Sequence, residues 1–150
     1  SIISKTLLLF VVAFTTMPGP SLGQPANLSD REVATTASDG GKYALLVRKF
    51  RHLKGSIKTA SQMKGDADHQ IKAFEVVIIG KAVKRLKDSK EVSELMAKGQ
   101  DLDIRFSVCR MAMQKLGVKE ADLPEGMQVV PNGFIRVFDL QEQDYHVIQL

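Results

Sequence analysis

The chain has 150 residues, 44% of them apolar and 25% charged, with a formal net charge of +4, no tryptophan and Cys109 as its single cysteine. This is the balance of an ordinary globular domain with an aliphatic core, and it excludes a disulfide-stapled or low-complexity chain. No zinc pattern, arginine-rich tail or aromatic RNA-binding motif accompanies the basic charge, so nucleic acid is not an expected partner.

Residues 1–23, SIISKTLLLFVVAFTTMPGPSLG, place Lys5 before an apolar run from Leu7 to Phe14, followed by Pro18 and Pro20. That is the design of a secretory signal peptide, with Ser21 and Gly23 as the small residues read before cleavage at Gln24. The mature protein is then expected in the periplasm or secreted. If the segment is retained instead, the roughly 17 residues from Ile2 to Pro18 just suffice for a membrane anchor. Residues 24–41 are polar, small and aperiodic, which predicts a flexible mature N-terminus ahead of one folded domain over 42–150.

Tyr43 to Val47 is a continuous apolar run of the kind a central parallel strand needs. Leu53, Ile57, Ala60 and Met63 then give a helical stripe up to Gly65. The Gly65–His69 stretch, with Asp66, Asp68 and His69, reads as a turn, since too few ligands at fixed spacing are present for a metal site. A second strand, Phe74 to Ile79, leads through Gly80 into a helix carrying Ala82, Val83 and Leu86. The glycine pattern that cradles phosphates is absent there. Ser89 is placed to cap the next helix, with Val92, Leu95 and Met96 as its buried stripe and Gly99 as its stop.

In the stretch from Asp101 to Gly117, Leu102, Ile104, Phe106 and Val108 alternate with Asp103, Arg105 and Ser107, the period of a strand with one buried face. Cys109, Ala112, Met113 and Leu116 then follow helical spacing, and Gly117 ends the helix. Cys109 therefore sits where the period switches. The crevice beyond the carboxyl ends of parallel strands is where reactive groups gather, and the amides of a helix start, aided by Arg110, favour a thiolate. A buried structural thiol satisfies the same spacing, so two readings of Cys109 stand open. Residues 123–126 form a turn, Met127 to Val130 a fourth strand, and Pro131, Asn132 and Gly133 open a helix with Phe134, Ile135, Val137, Phe138 and Gln141 along one face. Tyr145 to Ile148 closes as the fifth strand. Alternating strands and helices of this length predict an α/β fold with a mainly parallel five-stranded sheet and right-handed crossovers.

Charge along this chain is uneven. From Arg48 to Lys90 there are 12 Lys/Arg against 4 Asp/Glu, while the rest after Gly23 has 8 against 13. The surplus reads as solvated helix faces, as a surface for an anionic partner or membrane, or as one of two complementary patches for self-association.

From about Tyr43 to Ile148 the chain resembles the DsrE/DsrF-like family of small α/β proteins. The resemblance rests on the single cysteine after the third strand, on ADLPEGMQVVPNG from Ala121 to Gly133, and on FDLQEQDYHVI from Phe138 to Ile148. It implies a three-layer α/β/α sandwich, assembly into trimers or hexamers, and, in the sulfur-transferring branch, a cysteine that carries sulfane sulfur as a persulfide. Only Cys109 matches that cysteine. Two positions depart from many exported relatives: Ile79 stands where they have histidine before a glycine, and Asp144 where they have glycine before the final tyrosine.

Two functions follow. In one, Cys109 accepts sulfane sulfur from a protein donor and passes it to an acceptor; a single thiol can carry sulfur but cannot close an internal disulfide. In the other, Cys109 is packed and the chain is a non-catalytic binding or accessory subunit of a larger, membrane-associated assembly. Hydrolysis has no support, because His52, His69 and His146 lie on separate elements without a nucleophile motif. No cofactor or metal is expected, and membrane contact only if residues 1–23 remain as an anchor.

Overall fold

The computed structural model describes residues 40–87 and 89–150, so the signal-peptide reading of residues 1–23 and nearly all of the 24–41 stretch lie outside the described residues. The chain forms β1 (Gly41–Val47), α1 (Phe50–Lys64), β2 (Ile71–Ile78), a short α2 (Lys81–Lys84), α3 (Lys90–Asp101), β3 (Ile104–Cys109), α4 (Arg110–Leu116), β4 (Met127–Val130), α5 (Gly133–Glu142) and β5 (Tyr145–Gln149). The five strands make one sheet in the order β4-β3-β2-β1-β5, and all its pairings are parallel.

The topology explains why the described helices divide so unequally between the two faces. From β1 to β4 the chain steps across the sheet in one direction, and α1, α2, α3 and α4 pack on one face. Leu53 and Ile57, Ala82 and Val83, Val92 and Met96, and Met113 meet Leu45, Val47, Val76, Ile78, Phe106 and Val108 there. β5 lies beyond β1, so the last crossover must travel back over the sheet. A right-handed crossover in the reverse direction carries its helix to the opposite face. Among the described residues α5 is the single helix there, and its Leu140 is buried among Ala44, Leu46, Val77, Ile79 and Cys109. No helix among the described residues is long and apolar enough to cross a membrane.

Local chemistry sets most boundaries where expected. The Ser89 side chain accepts from the Val92 amide at 3.3 Å and so starts α3, and Gly117, at φ +64°, ends α4. Other expectations are not met. Gly99 does not stop α3, which continues to Asp101, because Gly99 is a contact site: an added Cβ would lie 2.3 Å from Cζ of the buried Phe106 ring. Leu102 is therefore the C-cap of α3, and the strand begins at Ile104 after Asp103 turns at φ +58°. On α5 the expected apolar face is not the buried one. Phe134, Ile135 and Phe138 are exposed, and the helix seats itself through Gly133 and Leu140.

Gly99→Ala gives a sign test of this packing. Helix propensity alone favours alanine by about 1 kcal/mol, whereas forcing a methyl into a filled core costs about 1–3 kcal/mol. Phe106 is enclosed and has nowhere to swing, so the expected outcome is a net loss, read as a lower urea midpoint at unchanged slope.

Candidate functional site

Cys109 is the last residue of β3, and it pairs with Val130, the last residue of β4. From β3 the chain turns into α4 on one face of the sheet, and from β4 into α5 on the other. Neighbouring strands whose connections leave to opposite faces define a switch point, the crevice where open α/β sheets place their ligand-handling groups. Cys109 thus stands at the switch point, with φ −72° and ψ 115°, as the residue preceding α4.

Its surroundings are apolar. The residue is 5% exposed and packs with Val77, Ile79 and Leu140 on the α5 side, with Ala112 partly buried against the same cluster. The expected stripe of Cys109 with Met113 and Leu116 is therefore split by the sheet, since Met113 belongs to the core on the other face. The roof over the thiol is the start of α5. A Cβ on Gly133 would lie 3.3 Å from Cβ of Cys109 and 2.4 Å from Cγ2 of Ile79, so the helix backbone comes down directly on both residues. Ile79, 4% exposed, supplies hydrocarbon there. Arg110 is engaged in an ion pair with Glu120. The histidines are elsewhere: His52 is on α1, His69 bonds Asp66 in the turn after α1, and His146 on β5 stacks at a tilt on Tyr43 with centroids 5.7 Å apart.

What positions this roof is a polar network that sequence reasoning missed. Glu75 on β2 has a fully enclosed side chain on the α5 face. Its Oε1 accepts from Arg136 Nε at 2.8 Å and from Ser107 Oγ at 2.7 Å, and its Oε2 accepts from Arg136 Nη2 at 2.8 Å. Arg105 Nη1 reaches Oε2 at 3.4 Å from the neighbouring strand. Burial pushes the Glu75 carboxyl up, but the bonds from Arg136 and Ser107, with the charges of Arg136 and Arg105, outweigh it and hold it below the usual carboxylate range. The two-pronged Arg136–Glu75 pair fastens α5 one turn after Gly133, and Ser107 is two residues before Cys109 on the same face of β3. One sequence signal pointed to it. A glutamate inside the apolar run FEVVII demands a partner, since a charge at an inner strand position is not left bare.

The turn after α1 uses its acids locally. Asp66 accepts from the Asp68 amide at 3.0 Å and bonds His69 Nδ1 at 3.0 Å, and these bonds hold its carboxyl low. The described residues contain no group of three or more His, Cys, Asp or Glu side chains placed to hold a metal ion.

With this geometry, the comparisons with known proteins agree on the fold. The family model for the DsrE/DsrF-like family matches residues 41–150. Among solved structures, the protein of unknown function MTH1491 from Methanobacterium thermoautotrophicum is similar at 20% identity and a TM-score of 0.62, covering 73% of this chain and 99% of its own. BT1422 from Bacteroides thetaiotaomicron, also of unknown function, is similar at 14% identity and 0.56, covering 78% of this chain and 99% of its own. The ychN protein from E. coli is similar at 10% identity and 0.55, with 73% and 99% covered. No curated protein matches the chain significantly.

Proposed function

The chain belongs to the DsrE/DsrF-like family, and from that premise we propose that it is an exported sulfur-relay protein in which Cys109 carries sulfane sulfur as a persulfide. The observation that supports this reading is the position of Cys109 at the switch point of the sheet, ahead of a helix. The step is an exchange. The Cys109 thiolate attacks the outer sulfur of a donor persulfide, a new S–S bond forms as the donor's S–S bond breaks, and the donor leaves as a thiolate with the bonding pair. No external oxidant or reductant enters. Transfer to an acceptor thiolate is the same exchange with Cys109 as the leaving group. In this reading residues 1–23 direct export and the protein works in the periplasm or beyond; a membrane association follows if they stay attached as an anchor.

A second reading is favoured by one observation: Cys109 is 5% exposed beneath α5, in hydrocarbon. There it is a packed core thiol, and the chain is a non-catalytic oligomeric binding or accessory subunit. Incubation of the folded protein with polysulfide separates the two. The expected result is a mass increase of one sulfur atom, removed by dithiothreitol and absent in Cys109→Ser, whose far-UV spectrum and assembly stay unchanged. A wild-type protein that gains no sulfur while folded, and gains it only after denaturation, belongs to the second reading.

In both readings the chain is a homo-oligomer, a trimer or hexamer on the family pattern. Supporting this, α5 turns Phe134, Ile135 and Phe138 outward together, at 48%, 55% and 61% exposure.

A further inference from the structure

The described sheet ends in two edge strands, β4 and β5, and only one of them is guarded. β4 is four residues long, follows Pro124 and Glu125, and is closed by Pro131. Short length, charge and proline are the ordinary means by which an edge is kept from pairing with another chain. β5 lacks them. From Tyr145 to Leu150 the sequence YHVIQL holds no proline and no Lys, Arg, Asp or Glu, Ile148 is 58% and Leu150 42% exposed, and among the described residues no strand lies beyond it. We infer that β5 pairs antiparallel with β5 of a second copy of this chain about a two-fold axis at Val147, joining two five-stranded sheets into one. The inference rests on the self-association proposed above and adds a second contact to it.

The direction of the backbone groups sets the register. The Leu150 amide donates to the Leu46 carbonyl at 2.9 Å, toward β1. Backbone groups alternate sides along a strand, so those of His146 and Ile148 also turn to β1, while the N–H and C=O of Tyr145, Val147 and Gln149 turn outward. An axis at Val147 makes hydrogen-bonded pairs of Val147 with Val147 of the second copy and of Tyr145 with its Gln149, and so uses every outward group of the strand. His146 then faces Ile148 of the second copy as a non-hydrogen-bonded pair, where side chains approach most closely, and that contact covers the exposed Ile148. No charge opposes its like within the pair: the nearest acid, Asp144, which turns the chain into β5 at φ +65°, lies at the far end from its own symmetry mate. A strand that is complementary to itself in this way meets the requirement of a closed two-fold contact. Two strands this short are marginal by themselves in water. They hold where another contact brings the copies together, and α5, with Phe134, Ile135 and Phe138 exposed, supplies it. A ring contact combined with a two-fold contact gives a double ring, so the pairing selects the hexamer over the trimer.

Two measurements on the full chain test the pairing. In a Cys109→Ser background, His146→Cys combined with Ile148→Cys puts thiols at facing positions whose Cα atoms are about 4.5 Å apart, a separation that a disulfide spans. Oxidation with copper phenanthroline should convert this variant into a covalent dimer on a non-reducing gel. Tyr145→Cys combined with Ile148→Cys puts its thiols on opposite faces of the sheet and should give no dimer. Val147→Pro removes an outward N–H and leaves the ladder to β1 intact, so light scattering should show an assembly of about half the wild-type mass. If Val147→Pro does not fold, the two cysteine pairs decide the matter alone. A wild-type oligomer whose mass a folded Val147→Pro leaves unchanged overturns the inference while the self-association stands, and so does cross-linking that is equal in the two cysteine pairs or absent from both. A wild-type protein that is monomeric at micromolar concentration overturns both.

Discussion

Glu75→Ala is expected to destabilise the protein by about 3 kcal/mol, near the lower end of the 3–5 kcal/mol typical when one partner of a buried ion pair is removed. The loss arises from what remains behind. Arg136 keeps its charge on a side chain that is 18% exposed, and Ser107 keeps a fully buried hydroxyl, both without their acceptor. The lower end is chosen because the exposed fraction lets Arg136 turn part of its charge to water. Equilibrium urea denaturation of wild type and variant reads the difference directly. A loss within about 0.5 kcal/mol, the range of a surface substitution, would show that α5 is held by its apolar packing through Gly133 and Leu140.

The same network fixes a pH dependence. The carboxyl of Glu75 is held below the ordinary glutamate value of about 4.3 in the folded protein. A group with a depressed folded pKa contributes stability that is complete above its unfolded value and is lost as the pH falls through the folded one. Wild type should therefore lose stability on acidification below about pH 4 by a margin that Glu75→Gln lacks. Replacing the pair together, with Glu75→Leu and Arg136→Met, removes both buried charges and is expected to recover most of the stability lost by Glu75→Ala. Loosening α5 has a functional consequence as well, since its first turn roofs Cys109. Alkylation of the thiol should be faster in Glu75→Ala than in wild type under native conditions, whichever role Cys109 has.

If the chain assembles as proposed, Phe138→Asp together with Phe134→Asp is expected to leave it a monomer. Both residues are about half exposed or more, so the fold depends on them less than on its buried core, and the two stand one helical turn apart with Ile135 beside them. Large aromatic side chains in an interface commonly cost 2 kcal/mol or more each when lost, roughly 30-fold in affinity apiece. Burying a carboxylate there adds a desolvation penalty. Light scattering at micromolar concentration reads the outcome, and salt distinguishes its cause. Assembly through the apolar α5 face should persist in 0.5 M sodium chloride, at which the Debye length is about 4 Å. Assembly by pairing the basic 48–90 region with an acidic patch should dissolve there. An oligomer that survives both aspartates and dissolves in salt would transfer the interface to those charged patches.

How much of this was legible before the fold was known depends on how local each cause is. Strand and helix periods, the Ser89 cap and the Gly117 stop are governed by neighbours within a few residues, so the order of five strands and their helices follows from the chain alone, as does Cys109 at the end of the third strand. The buried side of α5 does not. Phe134, Ile135 and Phe138 form a coherent apolar face at helical spacing, and no local rule says that Gly133, Arg136 and Leu140 face the sheet instead. That choice is made by the last crossover, which brings α5 over Glu75, where a two-pronged ion pair sixty-one residues apart in sequence outweighs the apolar stripe. Gly99 shows the same dependence, because a glycine that ends a helix and one that lets a distant ring approach look alike until Phe106 is in place. The sequence by itself determined the elements and the position of the one thiol. Only the tertiary structure decided that this thiol lies under the roof of α5, since burial is set by which elements meet across the sheet, and periodicity carries no information about that.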